Sequence, residues 1–205
     1  MKEIITIQHC QSQQHVNGMM GGWNDWELTE LGHAQAQRLG ERLGKELRGK
    51  SVKIYSSDLK RAAQTAAPLA NVLGLDVVYR QELRERNGGP LMEGKSKAWY
   101  REHRENAGYL ADQRPLPGME TKRELHQRLY KIYEEAVEAT EDIVVLVSHG
   151  GALGVWNILW LGLPPEAMNS CGIQGKAGSV GRFSRFEESG MRRITCVGDL
   201  SYIQD

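Results

Sequence analysis

Four side chains suited to phosphoryl chemistry each follow a short apolar run: His9 after residues 4–7, Arg61 after residues 52–55, Glu85 after residues 75–79 and His149 after residues 143–147. Two histidines, an arginine and a carboxylate meeting in one crevice suit a dianionic phosphate. Arginine offers a planar fork to the phosphoryl oxygens, a neutral imidazole can attack phosphorus or donate a hydrogen bond, and a glutamate can pass a proton to the leaving oxygen. Singly, each residue has an ordinary explanation. A strand-end histidine is usually a hydrogen-bonded structural residue, Arg61 could be a solvated helix charge, and Glu85 stands in the charged run Arg84-Glu85-Arg86. The pattern gains its weight from recurrence, because open α/β sheets bind ligands at the carboxyl ends of their strands.

The elements that must position these groups alternate along the chain. Residues 4–7 read as a buried strand. Thr29 is a natural N-cap for a helix to about Arg48, with Leu31, Leu39, Leu43 and Leu47 near the 3.6-residue period and Gly49 at its end. After the strand at 52–55, Asp58 can cap a helix carrying Leu59, Ala62, Ala63, Ala66, Leu69, Val72 and Leu73 on one face, which Pro68 should kink or divide. Residues 75–79 form a third strand. Residues 86–118, rich in glycine and proline around a polar helical piece at 97–106, read as a cap or lid within one domain spanning 1–205. An amphipathic helix at 120–139, a strand at 143–147, a helix from about Gly151 bearing Trp156 and Trp160 as core residues, and β-like pieces at 180–186 and 193–197 complete the chain. This order predicts a three-layer α/β/α domain with a largely parallel central sheet and a small cap over the carboxyl ends of the strands.

Composition narrows the function classes. Lysine and arginine total 26 against 26 aspartates and glutamates, so the formal charge is zero and no basic excess points to nucleic acid. At 205 residues with 40% hydrophobic and 25% charged residues, the chain can bury a sizeable core and is unlike a disordered segment. Cys10, Cys171 and Cys196 show neither CxxC nor zinc spacing, so no disulfide framework or metal centre is expected and a reducing cytoplasm is the natural setting. The N-terminal apolar stretch is too short for a signal peptide. The segment 151–163 falls short of the roughly 18 residues a bilayer span needs.

The motifs, in order, are Gln8-His9-Cys10-Gln11-Ser12, Gly22-Trp23-Asn24-Asp25 with Leu28-Thr29-Glu30-Leu31-Gly32, Ser56-Ser57-Asp58-Leu59-Lys60-Arg61-Ala62, Leu83-Arg84-Glu85, Pro117-Gly118-Met119-Glu120-Thr121 and Val147-Ser148-His149-Gly150-Gly151. Together, along essentially the whole chain, this series resembles the histidine phosphatase superfamily, which includes the cofactor-dependent phosphoglycerate mutases. The resemblance implies that His9 is the nucleophile that becomes a phosphohistidine, that Arg61 and His149 hold phosphoryl oxygens, and that Glu85 is first the general acid and then the base. It also implies phosphate or substrate contacts for Gln8, Asn17, Gly21, Gly22 and Gly150, with the match at Asn17 requiring a two-residue insertion. No cofactor or metal is implied. Independently of the family, in-line attack needs His9 neutral and held in one tautomer by an acceptor on its other ring nitrogen.

The chain departs from the family where Arg-His-Gly is usual. Cys10 in place of glycine is acceptable if the backbone avoids positive φ, and it reads as a small buried residue. Gln8 replaces a charged, bidentate phosphate ligand by a neutral amide. Losing two charge-assisted hydrogen bonds of about 1.5–3 kcal/mol each in the transition state would slow the reaction by about 10²–10⁴-fold. The expected activity is phosphomonoester hydrolysis, weakened by Gln8; mutase-type transfer and a non-catalytic phospho-ligand binder are the alternatives. The cap and the Met19-Met20-Gly21-Gly22-Trp23 loop would set specificity for a small phosphorylated substrate. Trp99 and Tyr100 could wall that substrate or pack the cap onto the body, and Arg101 and Arg104 could meet an anion or face solvent. A homodimer is compatible with the sequence, but no surface feature demands one.

Overall fold

The computed structural model describes residues 2–105 and 110–204. Four strands run parallel: β1 (Lys2–Gln8), β2 (Val52–Ser56), β3 (Val77–Tyr79) and β4 (Ile143–Ser148). Two antiparallel strands, β5 (Val180–Arg185) and β6 (Arg192–Asp199), extend one edge, giving the order β3-β2-β4-β1-β5-β6. The sheet is thus mixed, with the expected parallel centre. β1 pairs with β4 from Glu3↔Ile143 to Gln8↔Ser148, which delivers His9 and His149 side by side at the carboxyl edge.

Residue alternation along β1 assigns the two faces of the sheet. Beyond the single-turn α1 (Gln13–Val16), Ile5 and Ile7 pack with Ile54, Val145 and Val147 against Leu39, Leu43 and Leu47 of α2 (Glu30–Leu47) and Ala62, Ala66 and Leu69 of α3 (Lys60–Leu73). Ile4, Val144 and Leu146 face the other way, onto Leu125, Leu129 and Ile132 of the helix Lys122–Glu138 and Trp156 and Trp160 of the helix Gly150–Trp160. β4 is buried along its entire length, as expected of a central strand covered on both faces. Trp156 and Trp160 are core residues, as their four-residue spacing predicted.

Three local expectations are corrected. Leu31 is 50% exposed, because the buried stripe of α2 runs through Gly32 and Ala36 instead. Pro68 does not divide α3, which is continuous around it and packs tightly on α2 at Gly40. Asp58 does not cap α3. Its carboxylate takes a two-pronged bond from Arg84 (2.7 and 2.6 Å), and the amide of Lys60 is met instead by Asp25 Oδ1 at 2.7 Å, from a loop 35 residues earlier.

Within 86–118 lies a short helix, α4 (Lys97–His103), capped by Ser96, while Asn106 and Gly108 lie outside the described residues. The segment is tied to the loop after β1 by backbone bonds from Lys97 to Gly18 and from Met20 to Lys95. Trp99 and Tyr100 pack with Met20 against a buried group of Met92, Leu116 and Met119, so they fasten the cap down. No helix among the described residues is long and apolar enough to cross a membrane. The two long helices that follow the cap are α5 (Lys122–Glu138) and α6 (Gly150–Trp160).

Candidate active site

His9 leaves the end of β1 with its ring 2% exposed. Its Nδ1 lies 2.8 Å from the carbonyl of Cys10, the next residue. A carbonyl only accepts, so Nδ1 carries the proton and Nε2 keeps a lone pair. Burial above all, with the Arg61 charge second, holds His9 well below the usual imidazole range, so the ring is neutral at ordinary pH. Both conditions that in-line attack places on His9 are therefore met.

Arg61 enters from the first turn of α3, fully buried. One terminal nitrogen donates to Asn24 O and the other to Gly22 O, each at 2.8 Å, leaving Nε–H buried without a protein acceptor. Gly22 takes φ of 45°, a conformation that glycine adopts without a Cβ penalty, and so directs its carbonyl onto the guanidinium. Burial pulls Arg61 down to about 10, opposed by Glu85 and Asp25, so it stays charged at neutral pH.

His149 caps α6 at the end of β4, its ring centroid 5.1 Å from that of His9. Its Nε2 lies 2.8 Å from the Ser57 hydroxyl, which also accepts from Leu59 N at 3.3 Å. That amide takes one of the two lone pairs of the hydroxyl and leaves its O–H able to donate to Nε2. In that arrangement the His149 proton sits on Nδ1, a buried atom with no hydrogen-bond partner. Burial, then Arg61 and His9, hold this imidazole well below its usual range. Arg61 Nε and, in that arrangement, His149 Nδ1 are thus two buried donors lacking acceptors beside the neutral ring of His9. Such donors are costly unless an anion occupies the site.

Glu85 lies at the start of α6. Its Oε1 accepts from Arg86 N (2.8 Å) and Ala152 N (3.0 Å), and its Oε2 accepts from Gly151 N (3.0 Å). Helix amides thus hold the carboxylate in place. Residue 151 must be glycine for this approach, since a Cβ there would strike the carboxylate.

The remaining expected contacts divide. Gln8 lies against Gly150 with its amide oxygen buried and unpartnered. Gly21 closes on the amide of Gln14. Asn17 is exposed and turns its Oδ1 back onto Met19 N at 2.9 Å, and no bond links it to His9 or Arg61. The ring that does reach His9 is His15, stacked on it with centroids 5.3 Å apart and planes 13° from parallel. Counting without an insertion places this residue six positions after the nucleophile. Ser57, Thr65 and Asp25 were also missed as supports. Thr65 accepts from Cys10 N at 3.0 Å, joining the loop after β1 to α3, and donates to Arg61 O at 2.7 Å within the helix. Cys10 is fully buried with its thiol pushed up to about 12, and no described non-glycine residue has positive φ, so it is a packing residue in an ordinary backbone conformation.

A mixed α/β sheet that sets two histidines, an arginine and a carboxylate at its carboxyl edge defines a phosphoryl-handling protein of the phosphoglycerate mutase-like fold. The sequence pattern of the histidine phosphatase superfamily (branch 1) matches residues 4–193, and the chain belongs to that superfamily. A relative from Hydrogenobacter thermophilus that carries a phosphoserine phosphatase name is 31% identical over 157 residues, covering 75% of each chain. The 2,3-bisphosphoglycerate-dependent phosphoglycerate mutase of Brucella melitensis is 29% identical over 175 residues, covering 80% of this chain and 84% of the mutase. Among solved structures, the mycobacterial glucosyl-3-phosphoglycerate phosphatase with inorganic phosphate superposes with a TM-score of 0.83 at 26% identity over the full length of both chains.

Proposed function

We propose that this chain is a phosphomonoesterase that works through a phosphohistidine on His9. The observation that carries the reading is the Nδ1 bond to Cys10 O, which leaves a lone pair on Nε2 of a neutral His9 set beside His149 and Arg61, each with a buried, unpartnered nitrogen. His9 Nε2 forms a bond to phosphorus as the ester P–O bond breaks in line, and Glu85 supplies the proton to the departing alkoxide. Water then attacks the phosphohistidine, gives its proton to Glu85, and releases inorganic phosphate with His9 restored. Oε2 carries this proton, since Oε1 already accepts two amides and Oε2 only one. Arg61 and His149 stabilise the charge on the transferring group, and this positioning is the main source of catalysis.

Gln8 stands where the family pattern carries a charged phosphate ligand, and without that charge turnover is slow and phosphate retention weak. The mutase likeness and this lost charge keep two competing outcomes alive: transfer to a second hydroxyl, and ligand binding without turnover. Phosphate release from an aryl phosphate, with chelator present, distinguishes them for the protein beside its Gln8→Arg and His9→Ala variants. Release that rises about tenfold or more with arginine and vanishes without His9 supports the phosphatase. Absence of release from all three, with phosphate still bound, would leave a binder.

A further inference from the structure

A second cavity, of about 220 Å³, opens beside Glu85 on the flank of α6. Its walls are Leu125, Val155, Ile158, Met168 and Ile173, and its floor is the backbone of Gly151 and Gly154. It adjoins the catalytic carboxylate directly: Gly151 N binds Glu85 Oε2, and Arg86, on the rim, gives its own amide to Oε1. The two cations at the edge are already held by backbone carbonyls, Arg86 by Glu120 O (2.6 Å) and Lys122 by Met168 O (3.1 Å). What remains for a ligand is mostly apolar surface.

We infer that this cavity receives the leaving group, and that the substrates are phosphomonoesters of apolar, ring-sized alcohols or phenols. The inference rests on the phosphomonoesterase reading and adds the substrate class. A leaving oxygen protonated by Glu85 must project its substituent away from His9, and the apolar hollow begins at the amide that holds Glu85. An apolar cavity of about 150 Å³ accepts a benzene ring, so this one accommodates a substituted or fused ring. Phosphoserine would press its ammonium against Leu125, Val155 and Ile158, with the cations Arg86 and Lys122 rather than an anion at the rim.

Gly154 supplies the test. A Cβ there meets only Gln174 and Ile173 at 3.6 Å, and leucine is a better helix former than glycine, so Gly154→Leu fills the cavity without breaking α6. The expected result is kcat/KM at least tenfold higher for 1-naphthyl phosphate than for phosphoserine. In Gly154→Leu the naphthyl ester should lose at least tenfold more than methyl phosphate does, while Gly154→Ala stays close to the parent. Equal losses for both esters, or none, overturn the inference. A readout independent of turnover uses Cys171, exposed on the cavity wall: 1-naphthol should slow its alkylation by iodoacetamide in the parent and not in Gly154→Leu. Protection without turnover of any ester would keep the cavity assignment and defeat the phosphatase reading. Lack of protection in the parent overturns the cavity assignment whatever the activity.

Discussion

His15 lies flat against His9, ring on ring at 5.3 Å and 13°, while its Nδ1 accepts the Ser12 amide at 3.1 Å. That amide fixes the His15 proton on Nε2 and closes the capping box of the short turn after β1, so the turn holds the ring that stacks on His9. Aromatic stacking contributes about 0.5–1.5 kcal/mol. His15→Ala should therefore lower kcat by about 2–12-fold, and His15→Phe, which keeps the stack, should recover most of it. If phenylalanine is as damaging as alanine, the ring face is not what matters, and the Nε2–H would be the operative group.

The Ser57 hydroxyl plays the matching part for His149. Without it, His149 Nε2 is left buried and unsatisfied, and the imidazole is free to place its proton there, turning a lone pair on Nδ1 toward the phosphate. An unsatisfied buried group costs about 1–3 kcal/mol. Ser57→Ala should thus raise the inhibition constant of inorganic phosphate by about tenfold, with Ser57→Thr much less affected. Unchanged phosphate inhibition in the alanine variant would show that His149 does not bind through Nδ1.

Much of the molecule was legible because its signals are local. The positions of His9 and His149 at strand ends, and of Arg61 and Glu85 in the segments after β2 and β3, follow from apolar runs, and the α2 cap at Thr29 follows from residue type; Thr29 Oγ1 accepts Gly32 N as expected. Contacts that close over long sequence distances were not legible. Asp58 has the residue type of an N-cap, yet Arg84 claims it and Asp25 caps α3 from another loop, because a bidentate guanidinium is a stronger partner than one amide. Asn17 was matched by residue type, whereas the three-dimensional neighbour of His9 is chosen by the turn at Ser12, which brings His15 around. The apolar hollow beside Glu85 draws on α5, α6 and the segment after it, and no local pattern announces such a meeting.

Burial of two neutral imidazoles ties stability to pH. His9 and His149 have folded-state values depressed below the unfolded value of about 6.5. Below that value the unfolded chain binds more protons than the native one, so stability rises with pH through this window and is lost as pH falls below about 6.5. The urea midpoint should be flat above neutrality and decline on acidification, and His9→Asn should shallow the decline. Imidazole signals of His9 that titrate at or above pH 6.5 by NMR in the phosphate-free protein would contradict this.

Glu85 serves both halves of the proposed reaction, and the two can be separated by choice of leaving group. A nitrophenolate departs without a proton, so Glu85→Gln should still transfer phosphate from nitrophenyl phosphate to His9. Hydrolysis of the phosphohistidine needs the carboxylate as base, and losing it should slow that step by about 10²–10⁴-fold. The variant should therefore release one equivalent of nitrophenol in a burst, then turn over slowly, with acid-labile phosphate on the His9 peptide. For alkyl esters, whose alkoxides must be protonated, the burst itself should disappear. A Glu85→Gln protein that turns over nitrophenyl phosphate at the parental rate would remove Glu85 from the hydrolytic step and leave its bonds from Gly151 and Ala152 as a purely structural link to α6.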